Sequence, residues 1–116
     1  MRETYQPDRG HFVWVDMNPQ AGTEQAGRRP ALVLSPKAYN IATGLFLICP
    51  TTNQVKGGSF EVPIPATGRV TGAVLADQLK SADWLARNAQ YISDCPQDTM
   101  LEVLARIEAI LEIDCG

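Results

Sequence analysis

The chain has 116 residues, 45% of them hydrophobic and 20% charged, with nine glycines and eight prolines spread along its length. That composition supports one hydrophobic core and a single domain over residues 1–116, and excludes a low-complexity or disordered chain. The net charge of −3 argues against a uniformly basic nucleic-acid binder, but residues 1–91 carry nine Lys/Arg against seven Asp/Glu while residues 92–116 carry one against six, so the body is mildly basic and the tail acidic.

Gly10–Asp16 (GHFVWVD) is aromatic and β-branched and predicts a strand. Asn18–Arg28 (NPQAGTEQAGR) is polar and broken by proline and glycine, which predicts a long exposed loop of the kind that often carries function. Pro30–Ser35 (PALVLS) is a short apolar run, a buried strand, and Pro36–Asn40 suits one helical turn. Leu45–Pro50 (LFLICP) predicts another buried strand, followed by a second polar loop, Thr51–Ser59 (TTNQVKGGS). Phe60–Ile64 alternates as a half-exposed strand, and Ala66–Thr71 reads as a turn. Gly72–Ala76 (GAVLA), Lys80–Trp84 and Gln90–Ser93 complete the strands. The period then changes. Met100, Leu104, Ile107 and Leu111, with Val103 and Ile110 beside them, form one apolar stripe at helical spacing. Pro96 suits the first turn and Asp98 its positive end, so a helix is expected from Pro96 to about Ile113. The expected fold is α+β, mainly β: a curled antiparallel sheet or small barrel with a C-terminal amphipathic helix.

Other classes are narrowed by what the chain lacks. Its longest uncharged apolar stretches, Ala31–Pro36 and Gly44–Pro50, are far too short to span a membrane, and Met1–Tyr5 has no apolar run of the kind a secretory signal needs. Cys49, Cys95 and Cys115 are odd in number and form no CxxC, which disfavours a disulfide framework or zinc knuckle and suits reduced thiols in the cytoplasm. His11 is the single histidine, so neither a multi-histidine metal site nor acid–base catalysis by a histidine pair can be built within one chain. Proton transfers would fall to carboxylate, hydroxyl, arginine or lysine groups.

Three stretches hold candidate chemistry. Gly22–Pro30 (GTEQAGRRP) runs straight into the apolar PALVLS strand, placing Arg28 and Arg29 where a loop meets a rigid sheet. An arginine there can hold an anion bidentately at any working pH; at Arg28 a solvated surface charge is the plainer reading, while Arg29, against Pro30, is more constrained. Glu24 could pair with Arg29 or act as a base. Pro50–Gly57 (PTTNQVKG) supplies two hydroxyls, two carboxamides and a lysine, the donor set that phosphates and base edges need, although an ordinary loop has the same composition. Asp77 and Gln78 follow an apolar strand, where a carboxylate serves as a base or caps a turn. Trp14 and Trp84 read as core or interface residues.

Taken together, PDRGHFVWVDMNP, GTEQAGRRPALVLSPKAYN, CPTTNQVKG, FEV and GAVLADQLKSADW resemble, in order, the MazF/PemK (also Kid, ChpB) toxins of bacterial toxin–antitoxin pairs. The resemblance covers roughly residues 5–90, and the C-terminal helix agrees in position and character. It implies an SH3-like barrel with a C-terminal helix, working in the cytoplasm as a homodimer and held inactive by a MazE-like antitoxin. It also implies a metal-independent, cofactor-free endoribonuclease that cuts single-stranded RNA, mRNA above all, by attack of the substrate's 2′-hydroxyl. The products would carry 2′,3′-cyclic phosphate and 5′-hydroxyl ends. By position Arg29 matches the family's catalytic arginine and Thr52 its catalytic threonine or serine, with Thr51 the alternative; Glu24 matches an acidic position beside them.

Some members use an arginine two residues before the Asp of the D-Q pair, and a histidine in the first loop. This chain has Leu75 and Thr23 there, so that version of the mechanism is incomplete and Asp77 and Gln78 remain as substrate-groove residues. Unstacked bases are read by loop side chains, for which Asn18, Gln20, Gln25, Asn53, Gln54 and Lys56 are the candidates, with Arg28 beside them. A protein-binding toxin of the same fold, acting on gyrase without catalysis, and an inactive family member are the competing expectations.

Overall fold

The computed structural model describes residues 4–17 and 27–112. Among the described residues, seven strands form one sheet: β1 (His11–Asp16), β2 (Arg28–Val33), β3 (Leu45–Thr52), β4 (Glu61–Pro63), β5 (Ala73–Leu75), β6 (Lys80–Asp83) and β7 (Gln90–Asp94). A short helix α1 (Lys37–Thr43) lies between β2 and β3, and α2 (Gln97–Leu111) ends the fold. The strand order is β4-β5-β3-β2-β1-β7, every pairing antiparallel. The sheet curls without closing.

β3 organises the sheet. One edge pairs with β2, and the other is shared by β6, which takes Leu45–Ile48, and β5, which takes Thr51 and Thr52. Side chains alternate across a strand, and in β1 to β3 both faces are covered. Phe12, Leu32, Cys49, Val62, Val74 and Ile92 pack with Met100, Val103 and Ile107 of α2. Val13, Val15, Ala31, Val33, Phe46 and Ile48 pack on the opposite face with Ala82 and Trp84. Burial on both faces is why these strands read as apolar runs and not as alternating patterns. The expected stripe on α2 is met in part. Met100, Val103 and Ile107 are buried together with Thr99, and Leu104 packs beside them partly buried. Ile110 and Leu111, expected on the same stripe, are exposed because no described element packs over the last turn.

Two elements exceed their sequence-based bounds in a way that matters for function. β2 begins at Arg28 and β3 runs to Thr52, so both arginines and both threonines stand on strands, not in the loops predicted for Arg28 and for Thr51–Ser59. Partners across the ladder cause this: Val15↔Arg29 and Asp16↔Arg28 extend β2, and Thr51↔Val74 and Thr52↔Ala73 extend β3. The α1 helix is also longer than one turn, closed by Gly44 in the left-handed region at φ 74°. Its buried Asn40 ties three segments together. The side chain donates to the carbonyls of Pro7 (2.9 Å) and Ser35 (3.0 Å) and accepts from Ser35 Oγ (2.6 Å), while Trp84 Nε1 donates to its main-chain carbonyl (2.8 Å).

Candidate functional site

Adjacent residues on a strand face opposite ways, and this separates the two arginines. Arg28 shares its face with Leu32, on the α2 side, and is bound into the structure. Its guanidinium contacts Asp16 Oδ1 at 2.8 Å, the Asn88 carbonyl at 2.7 Å and Gln90 Oε1 at 3.1 Å. Asn88, at the left-handed φ of 56°, donates from Nδ2 to the other Asp16 oxygen at 2.7 Å. That bond, with the Arg28 cation behind it, holds the Asp16 carboxyl below its ordinary range. Arg87 donates to the carbonyls of Asp16 (3.0 Å) and Met17 (2.8 Å). Arg28 and Arg87 therefore pin the two stems from which the segment of residues 18–26 departs. The surface charge expected at Arg28 is a structural tie.

Arg29 shares its face with Ala31 and Val33, just beyond the Val15–Phe46 core, and is exposed. Continuing the β2–β3 register from Ala31↔Pro50 sets Pro30 opposite Thr51 and Arg29 opposite Thr52. Directly opposed residues share a face, with Cβ atoms about 5 Å apart. Arg29, Pro30, Thr51, Thr52, Asn53 and Gln54 line one cleft of about 270 Å³.

The two threonines divide by the same parity. Thr51 is 5% exposed, and its hydroxyl donates to the Pro30 carbonyl at 3.0 Å, tying the end of β3 to β2. Thr52 is half-buried beside Arg29, and its Oγ1 accepts the Gln54 main-chain N–H at 3.0 Å. With that acceptor position filled, the hydroxyl proton of Thr52 remains available for donation into the cleft.

Beyond the cleft, the Glu61 carboxylate accepts the main-chain N–H groups of Lys56 (2.9 Å) and Gly57 (2.8 Å). Those bonds, Lys56 first, hold its carboxyl below the ordinary range and shape the second loop. Asn53 accepts a hydrogen bond from Thr71 Oγ1 at 3.1 Å. Neither Glu61 nor Thr71 stood out in the sequence: Glu61 acts on main-chain N–H groups, which leave no residue signature, and Thr71 acts on a residue 18 positions away.

The structure thus joins Arg29, Thr51, Thr52, Asn53 and Gln54. Arg28, Lys56, Asp77 and Gln78 do not line this cleft. Asp77 and Gln78 are exposed in a 3-10 turn, Ala76–Gln78, after β5. Glu24, Asn18, Gln20 and Gln25 lie outside the described residues. The Cys49 thiol is unsuited to nucleophilic work: it is buried, and burial, aided by the Asp77 charge, pushes its pKa up to about 12. Chemically, the cleft offers a permanent cation, a hydroxyl donor and two carboxamides at the ends of two paired strands. That set suits an anion such as a phosphodiester.

The family model described as "PemK-like, MazF-like toxin of type II toxin-antitoxin system" matches residues 8–111. The chain is 43% identical over 111 residues to the endoribonuclease toxin MazF of Escherichia coli K12, covering 96% of this chain and 99% of that one. It is similar to MazF of Deinococcus radiodurans in a crystal structure (TM-score 0.86, 50% identity, 95% of this chain and all of that one). A MazE–MazF crystal structure from the same organism matches with TM-score 0.85 at 44% identity, over 96% of this chain and 100% of that one.

Proposed function

The chain belongs to the PemK-like, MazF-like toxin family of type II toxin–antitoxin systems, and we propose that it is an endoribonuclease toxin that cuts single-stranded RNA at the Arg29–Thr52 cleft. The observation that carries this reading is the placement of Arg29 and Thr52 on one sheet face, lining one cleft, from segments distant in sequence.

The substrate's own 2′-oxygen attacks the adjacent phosphorus. The bond from phosphorus to the 5′-oxygen breaks, leaving a 2′,3′-cyclic phosphate and a 5′-hydroxyl. The nucleophile is internal, so what the protein must supply is positioning, charge stabilisation and two proton transfers. Arg29 stabilises the charge that builds on the phosphorane oxygens. The Thr52 hydroxyl donates a hydrogen bond to a non-bridging oxygen of the scissile phosphate, and the Gln54 N–H fixes that orientation. A guanidinium is a poor base, so the 2′-hydroxyl proton passes to Glu24 or water, and water supplies the proton that the leaving 5′-oxygen takes up. Asn53 and Gln54 face the neighbouring nucleotides.

In this reading the protein acts in the cytoplasm as a homodimer. Leu101, Ile110 and Leu111 on α2 and Ile41 and Leu45 near α1 are exposed apolar side chains that a second copy can cover. A cognate antitoxin with an acidic segment competes with RNA for the cationic cleft and silences the toxin.

The test is incubation of the purified protein with a long unstructured RNA in EDTA, followed by mapping of the ends. Cuts at a short recurring sequence with 5′-hydroxyl ends support the reading. A matched oligonucleotide with one 2′-deoxy sugar at the cleaved nucleotide should survive. Cleavage of that oligonucleotide, or 5′-phosphate ends, would refute the internal-nucleophile mechanism.

A further inference from the structure

The turn before β5 presses on the cleft. Gly72 has a φ of +95°, and a Cβ built there would lie 2.0 Å from the Thr52 carbonyl oxygen and 2.8 Å from Asn53 Oδ1. The side of Gly72 that carries only hydrogen therefore points at two oxygens. The neighbouring Thr71 Oγ1 sits 3.1 Å from the same Asn53 oxygen. A carboxamide can be turned either way at such a site, but its NH₂ end would oppose the Gly72 C–H. Its oxygen end receives both a C–H···O contact and the Thr71 O–H. The oxygen end is thus held against the turn, which leaves Nδ2 as the end that can reach the cleft Asn53 lines with Arg29 and Thr52.

We propose that Thr71 is a positioning residue that fixes the Asn53 carboxamide so that its Nδ2 reads a hydrogen-bond acceptor on the edge of a base next to the scissile phosphate. The proposal rests on the endoribonuclease reading above. Asn53 is the residue touching substrate, and Thr71 acts only through it. A rotating carboxamide would accept donor and acceptor bases alike. A pinned one rejects a base that presents a donor at that position, because two donors are then left facing each other without a partner.

The test uses full-length wild type, Thr71→Val, Thr71→Ser and Asn53→Ala on one randomised single-stranded RNA pool, with cut sites sequenced and kcat/KM measured on the preferred oligonucleotide. Thr71→Val, nearly isosteric, should lower kcat/KM on that oligonucleotide about five- to tenfold. It should also relax base preference at one position of the site while the other positions stay selective. Asn53→Ala should relax the same position, and adding Thr71→Val to it should cause no further change. Thr71→Ser should restore the wild-type preference. A Thr71→Val protein that cuts more slowly with unchanged preference at every position would overturn the proposal and point to a phosphate contact or a purely structural role. If Thr71→Val does not fold, unchanged base preference in Asn53→Ala overturns it equally. A pool left intact by wild type would instead sink the endoribonuclease reading itself, so the two failures are distinguishable.

Discussion

Replacing Gly72 by alanine probes the architecture of the cleft directly. Two costs combine at this position. The backbone sits at φ +95°, which a residue with a Cβ adopts at a cost of about 1–2 kcal/mol. The new methyl would also lie 2.0 Å from the Thr52 carbonyl oxygen, a main-chain atom that cannot rotate away. Relieving such overpacking costs about 1–3 kcal/mol. The sum is about 3 kcal/mol, which at an m-value near 1.5 kcal/mol per molar urea lowers the unfolding midpoint by about 2 M. Gly44 is the internal control: it has φ +74° with nothing within 4 Å of the added Cβ. Gly44→Ala should lose only the conformational part, about 1–2 kcal/mol. Urea titrations followed by circular dichroism give both values. Under conditions where both variants are folded, Gly72→Ala should also cut RNA far more slowly, because the strand end carrying Thr52 and Asn53 must shift. If Gly72→Ala proves no less stable than Gly44→Ala and cuts RNA as fast, the close approach of this turn to the site is wrong.

The two threonines should respond oppositely to removal of the hydroxyl. Thr51→Val loses the bond to the Pro30 carbonyl and about 1 kcal/mol of stability while keeping most activity, and Thr52→Val keeps stability and loses at least about tenfold in kcat; paired unfolding and cleavage assays separate them. Asn40→Leu, which strands the Pro7 and Ser35 carbonyls in the interior and leaves the Ser35 hydroxyl proton without its acceptor, should cost about 3 kcal/mol or more by denaturant titration. Acid should destabilise the fold through Asp8, Asp16 and Glu61, whose carboxyls are all held below their ordinary values. A depressed carboxyl adds stability above its unfolded pKa and loses it as pH falls through the folded one, so midpoints should hold near neutrality and decline below about pH 4.5. Asp16→Asn should flatten part of that decline.

The element plan was legible because the core strands are buried on both faces and the last helix carries one apolar stripe. Such patterns are local and survive in the linear chain. The ends of β2 and β3 were not. Arg28-Arg29 and Thr51-Thr52 look like loop, but ladder hydrogen bonds come from the main chain and are indifferent to polar side chains, so pairing with β1 and β5 carries the strands onward. The opposition of Arg29 and Thr52 is a matter of register, set by the whole sheet. Asn40 was invisible for a related reason: its partners lie on three different segments. The roles proposed for Arg29 and Thr52 rest on family resemblance, and the structure adds a shared sheet face and cleft that are compatible with them. Residues such as Thr71 and Gly72 gain meaning only from what they touch.

The most direct test of the central claim compares the neighbouring arginines, Arg28→Ala and Arg29→Ala, on one single-stranded RNA substrate with stability measured in parallel. The account predicts that Arg29→Ala unfolds like wild type and loses at least about 100-fold in cleavage rate. It predicts that Arg28→Ala loses about 1–2 kcal/mol of stability with its ties to Asp16, Asn88 and Gln90, yet still cuts where it is folded. An Arg29→Ala protein that cuts as well as wild type would contradict the account.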